Sequence, residues 1–155
     1  MIPKELWREI DQIGVLTIDP DKTIANMEKI FGILPDKRSR SLSGPDSGWY
    51  RGLPRDAEIE MLFYQFDNIH IEVIYPKSGN SIHKEYLEKR GTGLYHIRFN
   101  VSDYDEAVKF FYDKGYEPAM EGNSANTPGA KWCYYDFFEE LGYYVEIINL
   151  KQLND

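Results

Sequence analysis

The sequence predicts an α+β protein made of two βαβββ modules that arose by internal duplication. Two stretches of nearly equal length carry this prediction. Residues 12–32 begin like a strand, continue as a helical segment and end at Gly32, and residues 96–115 repeat this order and end at Gly115. Sheet-forming sequence follows each stretch. Both halves therefore have the order β-α-β-β-β.

In the first half, a strand is predicted at 12–18, where β-branched residues alternate with others. Asp19 can cap the next helix, with Pro20 at its first position and Gly32 at its C-terminal end. A Gly/Pro-rich loop at 44–56 interrupts the sheet-forming segments of this half. Those segments are 36–43, 57–66 and 69–75.

The second half repeats these features. A strand is predicted at 96–101, and Ser102 or Asp103 can cap a helix that ends at Gly115. A loop at 122–130 interrupts the sheet-forming segments of this half as well. Those segments are 116–121, 131–138 and 143–149.

The length of 155 residues suits a single domain. We expect this domain to span 1–155, with module one at about 10–75 and module two at about 93–149. Residues 76–92 then form a linker that contains a short helix.

The charge balance argues against nucleic acid as a partner. The formal net charge is −8, and an acidic surface repels the phosphate backbone. Basic residues do gather in and before the loop at 44–56. We interpret them as a solvated surface, with an anion-steering rim for a charged small molecule as the alternative. They are Lys37, Arg38, Arg40, Arg51 and Arg55.

The remaining bulk features predict a cytoplasmic protein that does not enter a membrane. The single cysteine, Cys133, fits a reducing compartment and is expected to be a buried, inert thiol. No apolar stretch approaches the ~20 residues that span a bilayer. The N-terminal sequence has acidic residues and lacks the apolar core of a signal peptide.

Four polar residues occupy equivalent places in the two halves. Glu72 and Glu146 each lie in the middle of the last predicted strand, and Gln12 and His96 each open the first. A single mid-strand Glu is more often solvent-facing, and a single His more often structural. Their repetition instead favours one shared site, where one imidazole, one amide oxygen and two carboxylates can bind Zn, Ni, Mn, Fe or Co. His70 shares a strand face with Glu72 and is an alternative ligand.

These residues resemble the vicinal oxygen chelate superfamily, which includes glyoxalase I, methylmalonyl-CoA epimerase, bleomycin-resistance proteins and extradiol dioxygenases. The resemblance covers roughly residues 10–149 and is most specific at SIHKEYLEKRGTGLYHIRFNVSD. It implies a curled mixed sheet around one divalent metal ion. The implied ligands are Gln12, Glu72, His96 and Glu146. This ligand set resembles glyoxalase I, whereas the flanking sequence resembles the epimerases.

The resemblance implies a metal-dependent lyase or isomerase that moves a proton at the carbon next to a carbonyl, like lactoylglutathione lyase or methylmalonyl-CoA epimerase. Glu146 is the first choice of catalytic base and Glu72 its counterpart. The substrate would be a small α-carbonyl compound or a thioester, and a homodimer is expected. The residues proposed for the substrate pocket are Arg98, Tyr64, Trp132 and Tyr134, with Trp49 as further aromatic material.

Two other functions stay open. A non-catalytic small-molecule-binding protein of the bleomycin-resistance type would use the same aromatic pocket. An extradiol-type dioxygenase ranks lower, because non-haem Fe(II) oxygen chemistry of that kind normally uses two His and one carboxylate. The proposed ligand set contains only His96.

Overall fold

A computed structural model describes residues 6–7, 9–44 and 47–154 of the chain. It confirms the predicted α+β class, with a single mixed sheet and helices packed on it. The strands are β1 (Glu9–Leu16), β2 (Lys37–Ser43), β3 (Gly48–Tyr50), β4 (Leu53–Pro54), β5 (Ala57–Gln65), β6 (His70–Gly79), β7 (Gly93–Asn100), β8 (Met120–Asn123), β9 (Lys131–Phe137) and β10 (Tyr143–Ile148). The helices are α1 (Pro20–Phe31), α2 (Ile82–Arg90), α3 (Tyr104–Tyr112), α4 (Phe138–Leu141) and α5 (Leu150–Asn154).

The strand order shows the duplication directly. The ten strands follow the order β2-β5-β6-β1-β7-β10-β9-β8-β3-β4. β1 and β7 pair antiparallel at the centre, and each pairs in parallel with the last strand of its own half, β6 or β10. The two halves are therefore related by a pseudo-twofold axis between β1 and β7, which brings the first and last strands of both modules together.

The N-terminal caps predicted for α1 and α3 are confirmed, as is the C-terminal Gly32 of α1. The side chain of Asp19 accepts a hydrogen bond from Lys22 N at the start of α1, and Gly32 ends the helix with a φ of 70°. Asp103, rather than Ser102, caps α3 by accepting from Glu106 N. Each helix covers the convex face of the sheet, α1 over the first half and α3 over the second.

The loop at 44–56 differs most from the prediction. It forms the short hairpin β3–β4, and β3 pairs with β8 of the second half. A flat sheet would separate β2 from β3 by eight strand spacings, roughly 38 Å. The five residue steps from Ser43 to Gly48 span at most about 18 Å. The sheet must therefore curl until its outer strands approach each other.

Smaller differences concern the ends of elements. α3 ends at Tyr112 rather than at Gly115, and β8 begins at Met120 inside the segment predicted at 116–121. A single helical turn, α4, replaces the predicted turn before β10. No helix in the described part of the chain is long and apolar enough to cross a membrane.

Candidate metal centre

Strand register brings the four predicted polar residues to one point inside the curl. Gly14 on β1 is paired with Glu72 on one side and with His96 on the other. Glu146 on β10 is paired with Arg98 of β7, and Arg98 is in turn paired with Gln12. Because paired residues project to the same face of a sheet, the side chains converge on the concave face.

The distances among these side chains suit the shell of one cation. His96 Nε2 lies 2.7 Å from Gln12 Oε1, 3.2 Å from Glu146 Oε2 and 3.8 Å from Glu72 Oε2. Ligand atoms of Glu72, His96 and Glu146 all lie within 4.8 Å of one another, and all three residues are buried. Ligands about 2.1 Å from one metal ion are separated by about 3 to 4 Å. The residues therefore fit a divalent metal.

The amide of Gln12 has two orientations with different consequences. With Oε1 toward the cluster, four acceptor atoms meet and Gln12 Nε2 lies 2.6 Å from His70 Nε2. Rotated by 180°, the amide nitrogen lies 2.7 to 3.1 Å from acceptors on His96, Glu72 and Glu146 and can donate its two hydrogens among them, and Oε1 accepts from His70. In the first orientation the amide oxygen faces the carboxylate oxygens of Glu72 and Glu146, and a cation between them would offset the repulsion. In the second, the amide hydrogens reduce that repulsion without a cation.

His70 lies behind Gln12. Its ring contacts the Gln12 amide, so as the Nδ1–H tautomer it can accept from the amide nitrogen and hold Oε1 toward the cluster. This contact makes His70 a positioning residue for Gln12.

Gly14 makes room for the imidazole. A Cβ at this position would meet His96 Cε1 and Nδ1 at 2.1 Å, because the ring lies flat over the glycine backbone. His96 Nδ1 is buried without a hydrogen-bond partner among the described residues. The ring is therefore fixed by packing against Gly14 and by contacts at Nε2.

The two carboxylates differ electrostatically. Burial, followed by repulsion from Glu146, raises the pKa of Glu72 to about 8. Burial also opposes ionisation of Glu146. There, a hydrogen bond from His96 and the attraction of His96 and Arg98 outweigh burial and lower the pKa of Glu146 below its usual value. At neutral pH the metal-free site therefore holds a proton on Glu72 and a charge on Glu146.

Asp11, a third carboxylate, holds Arg98 beside Glu72 and Glu146. Arg98 Nε and Nη2 donate to Asp11 Oδ1 and Oδ2 over 2.8 and 3.0 Å, a two-point ion pair. The attraction of Glu146 and Asp11 outweighs burial and raises the pKa of Arg98. Arg98 is thus a fixed positive charge at the edge of the site.

A cavity of about 330 Å³ opens from the cluster. Among its lining residues are Glu72, Arg98, Trp132, Tyr134 and Glu146, so the structure brings three of the four predicted pocket residues to it.

Tyr64 does not reach this cavity, which corrects the prediction. It lies on the convex face, buried with Leu62 and Val73 beneath α1. Its neighbour Phe63 points the other way and lines the cavity, because successive strand residues alternate between faces. Trp49 also lies outside the cavity, half-exposed on β3.

Three residues of the site carried no clear sequence signal. Gly14 becomes significant only once His96 is known to lie over it. His83 lies in the first turn of the linker helix α2, yet it is buried against Tyr95 and lines the cavity. Arg55 was interpreted as part of a solvated or steering surface, but only 2% of it is exposed. Tertiary structure alone places these residues.

Comparison with known proteins agrees with this architecture. The sequence matches the profile of the Glyoxalase/Bleomycin resistance protein/Dioxygenase superfamily over residues 11–134. The match covers well over half of the chain, so the protein belongs to this superfamily. No curated protein sequence matches it.

Among solved structures, the chain resembles methylmalonyl-CoA epimerases. The Mycobacterium tuberculosis enzyme is 18% identical, with a TM-score of 0.66 and coverage of 96% of this chain and 92% of that one. A Streptomyces coelicolor epimerase variant in complex with 2-nitronate-propionyl-CoA is also 18% identical, with a TM-score of 0.64 and coverage of 91% and 93%. A hypothetical protein from Bacillus halodurans C-125 is 17% identical, with a TM-score of 0.66 and the same coverage. At such identities the likeness concerns the fold.

Proposed function

We propose that this protein is a metal-dependent lyase or isomerase that moves a proton at the carbon next to a carbonyl. The convergence of four buried acceptor atoms at the base of a cavity supports this most directly: Gln12 Oε1, Glu72 Oε2, His96 Nε2 and Glu146 Oε2. The solved epimerases of the same fold include one in complex with methylmalonyl-CoA. We extend the proposal to thioesters and related α-carbonyl compounds as substrates.

The metal would be held by Gln12, Glu72, His96 and Glu146. When bound, a divalent ion supplies a positive charge that stabilises negative charge developing on a carbonyl oxygen. The carboxylates would lose any proton they carry on binding it.

Proton transfer would rest on the two carboxylates. Glu146 is ionised at neutral pH, so it can accept the α-proton, and it lines the cavity where a substrate would lie. Glu146 would then return this proton to the carbon, so that no further proton is consumed. Glu72 lines the same cavity on the other side of the pseudo-twofold axis and would be its counterpart as a base.

Arg98 and Tyr134 would tune Glu146 rather than react. Tyr134 hydrogen bonds to Glu146, and Arg98 attracts it, so both favour its ionised form. Trp132 contributes an apolar wall to the cavity, which limits water around the reacting carbon.

The test is exchange of the α-proton with deuterium from solvent. Purified protein reconstituted with Zn or Ni should catalyse exchange on a panel of thioesters and hemithioacetals, and Glu146→Gln should abolish it. Metal content is measured on each variant, since Glu146 is also a proposed ligand. Glu60→Gln, which alters a buried strand carboxylate paired with Arg38, serves as the control and should retain exchange. Full exchange by a metal-loaded Glu146→Gln protein would remove Glu146 as the base.

A non-catalytic binding protein is the second candidate, favoured by one observation. The rotated Gln12 amide can donate hydrogen bonds to two of the three acceptors on His96, Glu72 and Glu146 without any metal. A protein that binds neither Zn nor Ni and retains ligand affinity would support this alternative. The homodimer stays a prediction that light scattering can test.

A further inference from the structure

Arg55 is a buried cation in the wall of the cavity. It precedes β5 at the end of the β3–β4 hairpin, and only 2% of it is exposed. Its guanidinium donates through Nη2 to Ser43 Oγ and through Nη1 to Met120 Sδ over 3.2 Å, and it lies 5.1 Å from the ring centroid of Trp132. Arg55 and Ser43 both line the cavity.

Among the described residues, this guanidinium has no anionic partner. No carboxylate in residues 6–7, 9–44 and 47–154 pairs with it, and its Nε is buried without a hydrogen-bond partner. The partners it does have are a hydroxyl, a thioether and an aromatic ring, none of which is charged. Arginine remains charged in proteins, and a buried charge without a counter-charge is costly.

The other arginines of this region have counter-charges. Arg38 pairs with Asp21 and Glu60, and Arg51 pairs with Glu85. Burial lowers the pKa of Arg55, and the groups that oppose this are Tyr134 and Tyr95 rather than a carboxylate. Among the described arginines of this region, only Arg55 is without a counter-charge, and it lines the cavity.

We propose that Arg55, with the Ser43 hydroxyl, binds a carboxylate carried by the substrate. This inference rests on the proposed function, and it narrows the substrate class to α-carbonyl compounds or thioesters that bear a free carboxylate. Such a group would pair with the guanidinium while the carbonyl faces Glu72 and Glu146 across the same cavity.

A carboxylate fits better than a phosphate dianion. The subsite offers one positive charge and one hydroxyl, which matches a monoanion with two acceptor oxygens. The cavity also contains Glu72 and Glu146, whose repulsion would grow with a second negative charge on the ligand.

The test compares two ligands in three proteins. The ligands are the malonyl thioester of N-acetylcysteamine and its methyl ester, which lacks the negative charge. Calorimetry measures their affinities for the wild type, Arg55→Gln and Arg55→Lys, each in metal-loaded and in EDTA-treated form. Arg40→Gln is the matched control, because Arg40 lies on the exposed edge strand β2 and pairs weakly with Glu58.

We expect Arg55→Gln to weaken binding of the acid about 10- to 100-fold and to leave binding of the ester within about threefold. Arg55→Lys should recover part of the loss, because it keeps the charge without the two-point geometry. Arg40→Gln should behave like the wild type. If Arg55→Gln does not fold, the Lys variant and the preference of the wild type for acid over ester decide the question.

An unchanged preference for the acid in Arg55→Gln, or a wild type that does not prefer the acid, would overturn the carboxylate subsite. Because the readout is binding with and without metal, it is independent of turnover. Absence of proton exchange with retained, Arg55-dependent binding would refute the proposed reaction and leave the subsite standing.

Discussion

Replacing Glu72 by Gln should stabilise the metal-free protein at alkaline pH, although it removes a proposed metal ligand. Glu72 is buried, and its pKa is raised from 4.5 to about 8, mainly by burial. The folded protein therefore holds a proton there that the unfolded chain releases. Ionised Glu72 destabilises the fold. This destabilisation is absent below pH 4.5, grows between pH 4.5 and 8, and is complete above pH 8.

The size of this destabilisation follows from the interval between the two pKa values of Glu72, 4.5 and about 8. At about 1.36 kcal/mol per pH unit, the separation of the two pKa values gives a ceiling of about 5 kcal/mol. Relaxation and water entry around a buried carboxylate reduce this, so we expect a gain of about 1–3 kcal/mol for the Gln variant above pH 8. Gln has a similar shape and carries no charge, so the gain should fade toward pH 4.5.

The assay is urea unfolding in EDTA, followed by tryptophan fluorescence, at pH 5, 7 and 9. Glu146→Gln is the matched control with the opposite sign. The pKa of Glu146 is lowered, so its charge stabilises the fold above pH 4.5, and its removal should destabilise the protein at pH 7. In a second series with Zn in place of EDTA, the metal should raise the unfolding free energy of the wild type more than that of Glu72→Gln. A stability difference between wild type and Glu72→Gln that does not change with pH would refute the reasoning.

Three further predictions follow from the same geometry. Gly14→Ala places a methyl group 2.1 Å from the His96 ring. It should lower the Zn affinity at least about tenfold and the free energy of unfolding in urea by about 2 kcal/mol. The control Gly44→Ala, whose methyl group meets no atom within 4 Å, should change neither quantity. Metal affinity should rise about tenfold per pH unit up to about pH 8 and then level off, because the ion displaces the proton from Glu72. Competition titrations between pH 6 and 9 measure this dependence, and an affinity that does not change with pH would contradict it. Cys133 is fully buried, and burial raises its pKa to about 12, so a thiol reagent should modify it only in urea; rapid labelling of the native protein would contradict this.

Much of the candidate site could be predicted from the sequence because the two halves repeat. Gln12 and His96 lie in the equivalent strands β1 and β7, and Glu72 and Glu146 lie in the equivalent strands β6 and β10. A pseudo-twofold axis between β1 and β7 must then bring equivalent positions together. The helix caps at Asp19 and Asp103 were also predictable, since capping is a local interaction between a side chain and the next turn of backbone.

The parts that could not be predicted depend on contacts between distant segments. Tyr64 and Phe63 are both aromatic, and only the register of β5 decides that Phe63 faces the cavity and Tyr64 faces α1. Gly14 lacks any local signal, since its role comes from a ring that approaches from β7.

The sequence by itself determined the α+β class, the repeated module and four polar residues in matched positions, because alternation, capping and duplication are recorded in residue order. Only the tertiary structure decided that a loop of basic residues crosses to the far edge of the sheet and buries Arg55 in the cavity. A residue's burial and counter-charge depend on what the rest of the chain brings to it. For that reason, local sequence indicated the proposed metal ligands, while the subsite proposed for the substrate appeared only in the folded protein.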